Sequence, residues 1–299
     1  MTTKVLTAKT VDLVALVKPR IMVMALLTAA GAMSLAPGTI HTATALWLLA
    51  GTALVVGSAN TLNMWLERDV DCLMSRTKNR PLPQHRLEPS TALVFGAIQG
   101  ALALPLLAMA GNVPAGQAQP GPLHLWPAAL GLLALILYVG VYTPMKQVSH
   151  WSVWVGAIPG AMPALIGWTA ATGRIDLAGL AVFGVLFFWQ IPHTHAIGIY
   201  RQREYEAAGL KTLPITHGVA RARRAILAFL VVQVAVSFAP ALLGVAGLAY
   251  LITAAALGLL VLVQGFAGDG STRWARNVFL TSIVYLPILF AVMVASGQA

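Results

Sequence analysis

Long apolar runs broken by short polar ones set the rhythm of this chain. Stretches of about 18–24 residues, each able to cross the ~30 Å hydrocarbon core of a bilayer, fall at 20–37, 43–66, 89–110, 125–143, 150–172, 177–199, 223–243, 245–266 and 276–296. Inside lipid a backbone must satisfy its own polar groups, so runs of this length predict helices. The expectation is an all-α, polytopic membrane protein: one domain, residues 1–299, with nine transmembrane helices. The thinnest boundary lies between the seventh and eighth runs, where only Gly244 and its neighbours mark a turn.

The basic residues between these runs fix an orientation. Lys4, Lys9, Lys18 and Arg20 precede or open the first run, and Arg68, Arg76, Lys78, Arg80 and Arg86 follow the second. Lys146 follows the fourth, Arg201, Arg203, Lys211, Arg221, Arg223 and Arg224 lie between the sixth and seventh, and Arg273 and Arg276 between the last two. Only Arg174 falls on the opposite side. Lys and Arg accumulate on the cytoplasmic face, which puts segment 1–19 and the loops 67–88 and 200–222 in the cytoplasm and the C-terminus outside. A miscounted span would scramble that alternation. Every carboxylate but Asp176 shares the cytoplasmic side, so the chemistry is expected to face it. Both long loops follow a helix and are separated by four helices, a hint of internal duplication, although their residues barely repeat. The Gly/Pro-rich segment 111–124 reads as plain connection.

Composition narrows the class further. Of 299 residues 58% are hydrophobic and 9% charged, against roughly a quarter charged in a soluble domain. The net charge of +10 does not point to nucleic acid, because the basic residues sit in particular loops rather than on a soluble face. One cysteine, Cys72, excludes an intrachain disulfide and any CxxC metal or redox site. The first 19 residues lack an apolar core followed by a small-residue cleavage site, and carry too little Arg and Ser for an organellar transit peptide. A bacterial inner membrane is the simplest home.

The candidate chemistry gathers at the end of the second run, N-M-W-L-E-R-D-V-D-C-L-M-S-R-T-K-N-R-P-L over 63–82. Asn63, Glu67 and Asp71 recur every four residues, so a helix stacks them on one face, ~6 Å apart along its axis. Carboxylates at that pitch suit Mg²⁺, which takes a few carboxylates together with phosphate oxygens. Arg76, Lys78 and Arg80 just beyond can grip the phosphates. Helix capping and membrane orientation would explain the three bases but not Asn63 and Glu67. Asp69 would point ~160° away on the same helix, and pairing with Arg68 or Arg76 stands beside ligation as its role.

The same segment resembles the first aspartate-rich motif of the UbiA-type intramembrane prenyltransferases, Asn-x-x-x-Asp-x-x-x-Asp. More narrowly, E-R-D-V-D-C-L-M-S-R-T-K-N-R-P-L is similar to the D-R-D-x-D-x-x-M-x-R-T-x-N-R-P-L signature of the protoheme IX farnesyltransferases, or heme O synthases. Glu67 stands where many members have Asp, which keeps the carboxylate and lengthens its reach. Y-T-P-M-K, 142–146, is similar to the family's Tyr-Pro-x-x-Lys-Arg element, of which only Lys146 carries over, Gln147 replacing the second base. Residues 151–173 resemble the family's Gly- and Pro-rich fifth helix. W-Q-I-P-H-T-H-A-I-G-I-Y-R-Q-R-E-Y-E-A-A-G, 189–209, is similar to W-x-x-P-H-x-x-A-I-x-x-x-R-x-x-D-Y-x-x-A, with His193 the matched histidine and Glu204 in place of Asp.

The resemblance covers about residues 18–275 and implies a UbiA-like bundle around a central cavity open to the cytoplasm. It implies farnesyl transfer from farnesyl diphosphate to a vinyl group of heme B, giving heme O and diphosphate. Catalysis then falls to Asn63, Glu67, Asp71 and Lys146, with Mg²⁺ on Asn63, Glu67, Asp71 and Glu204. Diphosphate falls to Arg76, Lys78, Arg80, Lys146 and Arg201, and heme to His193 and Arg203. Trp65, Tyr142 and Trp189 are candidates to stabilise a cation through their rings. Packing within the bundle is the competing role for His193, and more so for His195. Implied partners are the lipid bilayer and a heme A synthase or terminal oxidase assembly factor, with no nucleic acid. Two alternatives stay open: a UbiA-type enzyme with a quinone-precursor or chlorophyll-like acceptor, and a transporter with the polar cluster as its ion site.

Overall fold

The computed structural model describes residues 3–111 and 124–297, so most of the expected connection 111–124 lies outside the described residues. The elements are α1 (Thr3–Leu16), α2 (Pro19–Leu35), α3 (Thr42–Asp71), α4 (Pro89–Ala110), α5 (Trp126–Leu135), α6 (Thr143–Met145), α7 (Ser152–Thr172), α8 (Leu177–Tyr200), α9 (Gln202–Ala207), α10 (Leu213–His217), α11 (Val219–Ser237), α12 (Ala239–Leu242), α13 (Leu248–Phe266) and α14 (Thr272–Ala295). A π-helical stretch, Ile136–Tyr142, welds α5 to α6 into one span. Among the described residues there is no strand, and the only β pairing is an isolated bridge between Ala246 and Gly297.

Among the described residues eight helices are long and apolar enough to span a membrane; the bent pair Lys9–Leu16 and Pro19–Leu35, kinked by 47°, brings the number to nine when taken as one span. The chain is a multi-span membrane protein. Leu46, Leu133, Leu248, Leu259 and Ile283 stand exposed on the outer face, an apolar girdle that suits lipid contact.

Two boundaries differ from expectation. Segment 1–19 is mostly helical, because Thr3–Leu16 carries no breaker until Lys18-Pro19. The second helix runs on to Asp71 rather than ending near 66, so the polar loop begins at Cys72. Its polar residues do not break it because they face inward, where Asn63 Nδ2 donates to Glu67 Oε2 at 2.8 Å. The bidentate pair of Arg86 with Asp12 (Nε to Oδ2 3.1 Å, NH2 to Oδ1 3.0 Å) then staples the following loop onto α1.

α7 is the most enclosed span; it packs on α2, α5 and α8, and α8 in turn on α11 and α14. Pro159 and Pro163 lie inside α7, tolerated because neighbouring helices supply contacts around the missing donors. Small residues let the backbones close. A methyl group on Gly167 would be driven into the carbonyl oxygen of Ala29 in α2, so Gly167→Ala must part the two helices. Overpacking of this kind costs about 1–3 kcal/mol. Gly167→Ala is therefore expected to melt several degrees below wild type in detergent. Gly140→Ala, whose added carbon meets nothing within 4 Å, is expected to melt with wild type. Equal midpoints for both would mean that the α2–α7 contact is not close.

Candidate active site

α3 presents its polar face to a cavity of about 230 Å³ at one rim of the bundle. The walls include Lys18, Asn63, Glu67, Asp71, Arg76, Arg80, Tyr138, Tyr142, Lys146, Ser152, Val153, Thr194, Tyr205 and Thr212. Asn63, Glu67 and Asp71 are all buried, and the four-residue spacing does stack them on one helix face. Around them three bases donate, and one threonine hydroxyl accepts. Lys18 Nζ donates to Asn63 Oδ1 at 2.9 Å, and Asn63 Nδ2 also reaches Thr143 Oγ1 at 3.1 Å. Lys146 pairs with Glu67 Oε1. Arg80 NH1 donates to Asp71 Oδ2 at 2.6 Å, while Thr77 Oγ1 fastens the loop to the Asp71 carbonyl at 2.8 Å.

Charge in the cavity is unbalanced: among the described residues Lys18, Arg76, Arg80 and Lys146 line it against two carboxylates, Glu67 and Asp71. That excess favours a polyanion. One carboxylate oxygen is also left over, because Asp71 Oδ1 is buried without a hydrogen-bond partner among the described residues. An orphaned buried acceptor is costly. With Glu67 it forms an all-oxygen donor set of the kind a hard divalent cation takes, so the residues present fit Mg²⁺.

Tyr138 and Tyr142, four residues apart in the π-helical stretch, both reach the cavity; such stretches recur at functional sites. Their rings lie 5.2 Å apart, and Lys146 Nζ sits 4.7 Å from the Tyr142 ring centre. Burial raises the Tyr205 phenol above its usual range, so it faces the cavity as a neutral donor. A second cavity of about 120 Å³ lies deeper, lined by apolar groups such as Val55, Ala134, Pro159 and Ile166. It shares Ile21 and Tyr138 with the polar one. The two form a charged head and an apolar sleeve.

Several expected site residues stand elsewhere. Lys78 is exposed and outside the cavity wall, as are Asp69 and Cys72. Glu204 is held by Arg201 NH1 (Oε2 at 3.1 Å) and Ser75 Oγ (3.0 Å). With Arg201 and Arg203 it lines a separate, open depression, so the structure does not bring Glu204 to Glu67 and Asp71. Among the described residues no three His, Cys, Asp or Glu side chains gather as metal ligands. His193 turns toward α14: its Nδ1 is 2.6 Å from Ser282 Oγ, and its ring stacks on Trp189 at 4.6 Å. Its neighbour Thr194 faces the cavity instead. Trp189 donates to the Ser282 carbonyl, and Trp65 packs outside the site on Leu16, Met64 and Leu82.

Lys18, Tyr138, Thr194 and Thr212 also line the wall, and no motif in the sequence singles them out. Lys18 carried a signal, a cation directly before a helix-opening proline on the rim shared by the other bases. The uncharged ones carried none, since their place depends on how four other helices meet α3.

Residues 24–284 match the profile of the UbiA prenyltransferase family. The chain is 46% identical over 284 residues to a protoheme IX farnesyltransferase of Anaeromyxobacter sp. (strain Fw109-5), covering 94% of this chain and 92% of that one. It is 43% identical over 285 residues to the protoheme IX farnesyltransferase of Myxococcus xanthus, covering 94% and 93%. Among solved structures it is similar to a digeranylgeranylglyceryl phosphate synthase, at a TM-score of 0.80 and 15% identity over 96% of this chain and 98% of that one. It is also similar to a UbiA homologue from Archaeoglobus fulgidus bound to GPP and Mg²⁺, at a TM-score of 0.64 and 18% identity over 94% and 99%.

Proposed function

Since the chain belongs to the UbiA prenyltransferase family, we propose that its charged cavity cleaves farnesyl diphosphate and its apolar sleeve delivers the farnesyl group to a vinyl group of heme B, releasing heme O and diphosphate. The observation that carries this reading is the junction of the two cavities. A diphosphate fits beside Lys18, Arg76, Arg80 and Lys146, and an isoprenoid tail fits the sleeve that begins at Ile21 and Tyr138. The acceptor is assigned on the relatives' shared name, protoheme IX farnesyltransferase.

The chemistry requires breaking an allylic C–O bond, whose electron pair leaves on the diphosphate. Lys146 and Arg80 can turn from Glu67 and Asp71 to the diphosphate oxygens, meeting the charge that develops there. Asn63, Glu67 and Asp71 would hold Mg²⁺, which supplies further charge stabilisation to a leaving diphosphate. The sleeve keeps water from the farnesyl cation, and the Tyr142 and Tyr138 rings line its path with π faces. The vinyl π bond attacks the allylic carbon, and water adds to the cation left beside the porphyrin, losing a proton to leave a hydroxyl. The reading includes a cytoplasmic site in a bacterial inner membrane, with the loops 72–88 and 200–218 as its rim. The same rim argues against a transporter, whose coupling residues gather near the bilayer midplane on broken helices.

Expression in a host lacking heme O, followed by mass analysis of extracted hemes, tests the proposal. A farnesylated, hydrated heme is the expected product; its absence beside prenylated 4-hydroxybenzoate would move the acceptor to a quinone precursor. Tail length gives a second check. Ala134, buried in the sleeve wall, is expected as Ala134→Phe to lose farnesyl transfer about tenfold or more while retaining transfer from geranyl diphosphate. Equal losses on both donors would place the tail elsewhere.

A further inference from the structure

Beside the polar cavity, on the same rim, two imidazoles meet that the mechanism does not use. His150 lies in the turn between Met145 and Ser152, and His217 ends α10. Their ring centres are 4.6 Å apart and the planes cross at 72°. Neither ring is paired with a carboxylate among the described residues. Thr216 Oγ1 sits 2.9 Å from His217 Nδ1, which leaves Nε2 of this exposed residue for a ligand, the arrangement in which a hydrogen-bonded imidazole binds a metal. Burial, His217 and Arg221 lower the His150 pKa, so its ring is neutral and available as a ligand at neutral pH.

The surroundings suit a large, flat, anionic ligand rather than a bare ion. Trp151, 57% exposed, lies 5.2 Å ring to ring from His150, and Val148 is 76% exposed. Lys211 and Arg221 are both exposed, and Arg221 is close enough to act electrostatically on His150. Bare divalent ions find no carboxylate here, whereas an iron porphyrin offers an iron for imidazole, an apolar face for Trp151 and two carboxylates for the cations. The position is equally specific. The turn holding His150 leads directly into the cavity-wall residues Ser152 and Val153, and the strand of chain before α10 supplies Thr212. A hydrogen bond from Lys211 N to the Lys146 carbonyl, 2.8 Å, ties the two segments together.

We propose that the juxtaposed His150 and His217, with Trp151 beside them, form a landing site that captures the acceptor through its iron at the mouth of the cavity. The proposal rests on the heme-acceptor reading and deepens it by assigning where the acceptor first binds, in place of His193, which is held against α14.

Purified full-length protein in nanodiscs, titrated with hemin and followed in the Soret band, tests it. Wild type is expected to give an imidazole-ligated spectrum. His150→Ala with His217→Ala is expected to weaken hemin at least about tenfold, while binding of metal-free protoporphyrin IX, read by tryptophan quenching, changes less than about twofold. In turnover, the double variant's KM for heme should rise by a similar factor with kcat and the KM for farnesyl diphosphate retained. Unchanged hemin affinity and spectrum in the double variant overturns the proposal. So does Ni²⁺ binding that depends on the pair while hemin binding does not, which would leave a plain metal-ion site. The two readings fail separately. Pair-dependent hemin binding without farnesyl transfer sustains the landing site and removes the acceptor assignment; transfer whose heme KM ignores the pair does the reverse.

Discussion

Asp71→Asn is expected to lower farnesyl transfer by about 10³-fold or more, the scale set by losing preorganised stabilisation of a leaving group. The substitution is almost isosteric, and the new amide oxygen can still accept from Arg80, which now donates to Oδ2 at 2.6 Å. Thr77 binds the backbone carbonyl of Asp71, so the loop fastening survives. What disappears is the charge, together with the buried acceptor at Oδ1 that has no hydrogen-bond partner among the described residues. The variant should therefore insert, with some loss of melting point because Arg80 gives up its charged partner, yet show no Mg²⁺-dependent release of diphosphate. Glu67→Gln should behave alike, since Lys146 loses its counter-ion in the same way. Turnover above half of wild type in Asp71→Asn would remove this carboxylate from the account.

Much of this arrangement could be read from residue spacing because the physics behind it is local. A bilayer demands continuous hydrogen-bonded helix over a fixed length, so the apolar runs 89–110 and 177–199 correspond within a residue to α4 and α8. The i, i+4 pattern of Asn63, Glu67 and Asp71 likewise needs only helical pitch to share a face, and that face does turn inward. Tertiary closure was not legible. Glu204 matches a motif position, but its partners Arg201 and Ser75 hold it in a neighbouring depression. His193 likewise satisfies a pattern while Ser282, 89 positions away, decides where its ring points. Nor does any periodicity announce the π-helical Ile136–Tyr142, which depends on hydrogen bonds that reach one residue further than usual.

Lys18 is where the unread part of the site bears most on function. It occupies the left-handed region at φ 50°, between α1 and the proline that opens α2. For a side chain with a Cβ that conformation costs about 1–3 kcal/mol and persists only when the surroundings enforce it. Here the enforced geometry brings an ammonium to Asn63 Oδ1, 45 residues away, inside the charged cavity. Lys18→Met keeps the apolar stem and removes the charge, and is expected to lower kcat/KM for farnesyl diphosphate about 100-fold, or about 2.7 kcal/mol of transition-state stabilisation. Lys18→Gly should be as inactive, yet melt above Lys18→Met because glycine adopts φ 50° without strain. That divergence separates catalysis from clamping. Were Lys18 only a brace between α1 and α3, Lys18→Met would lose stability and keep kcat/KM within about twofold. A fall in activity alongside a rise in melting point for glycine would instead mean that strain at the helix break is retained to hold one cation against the leaving group.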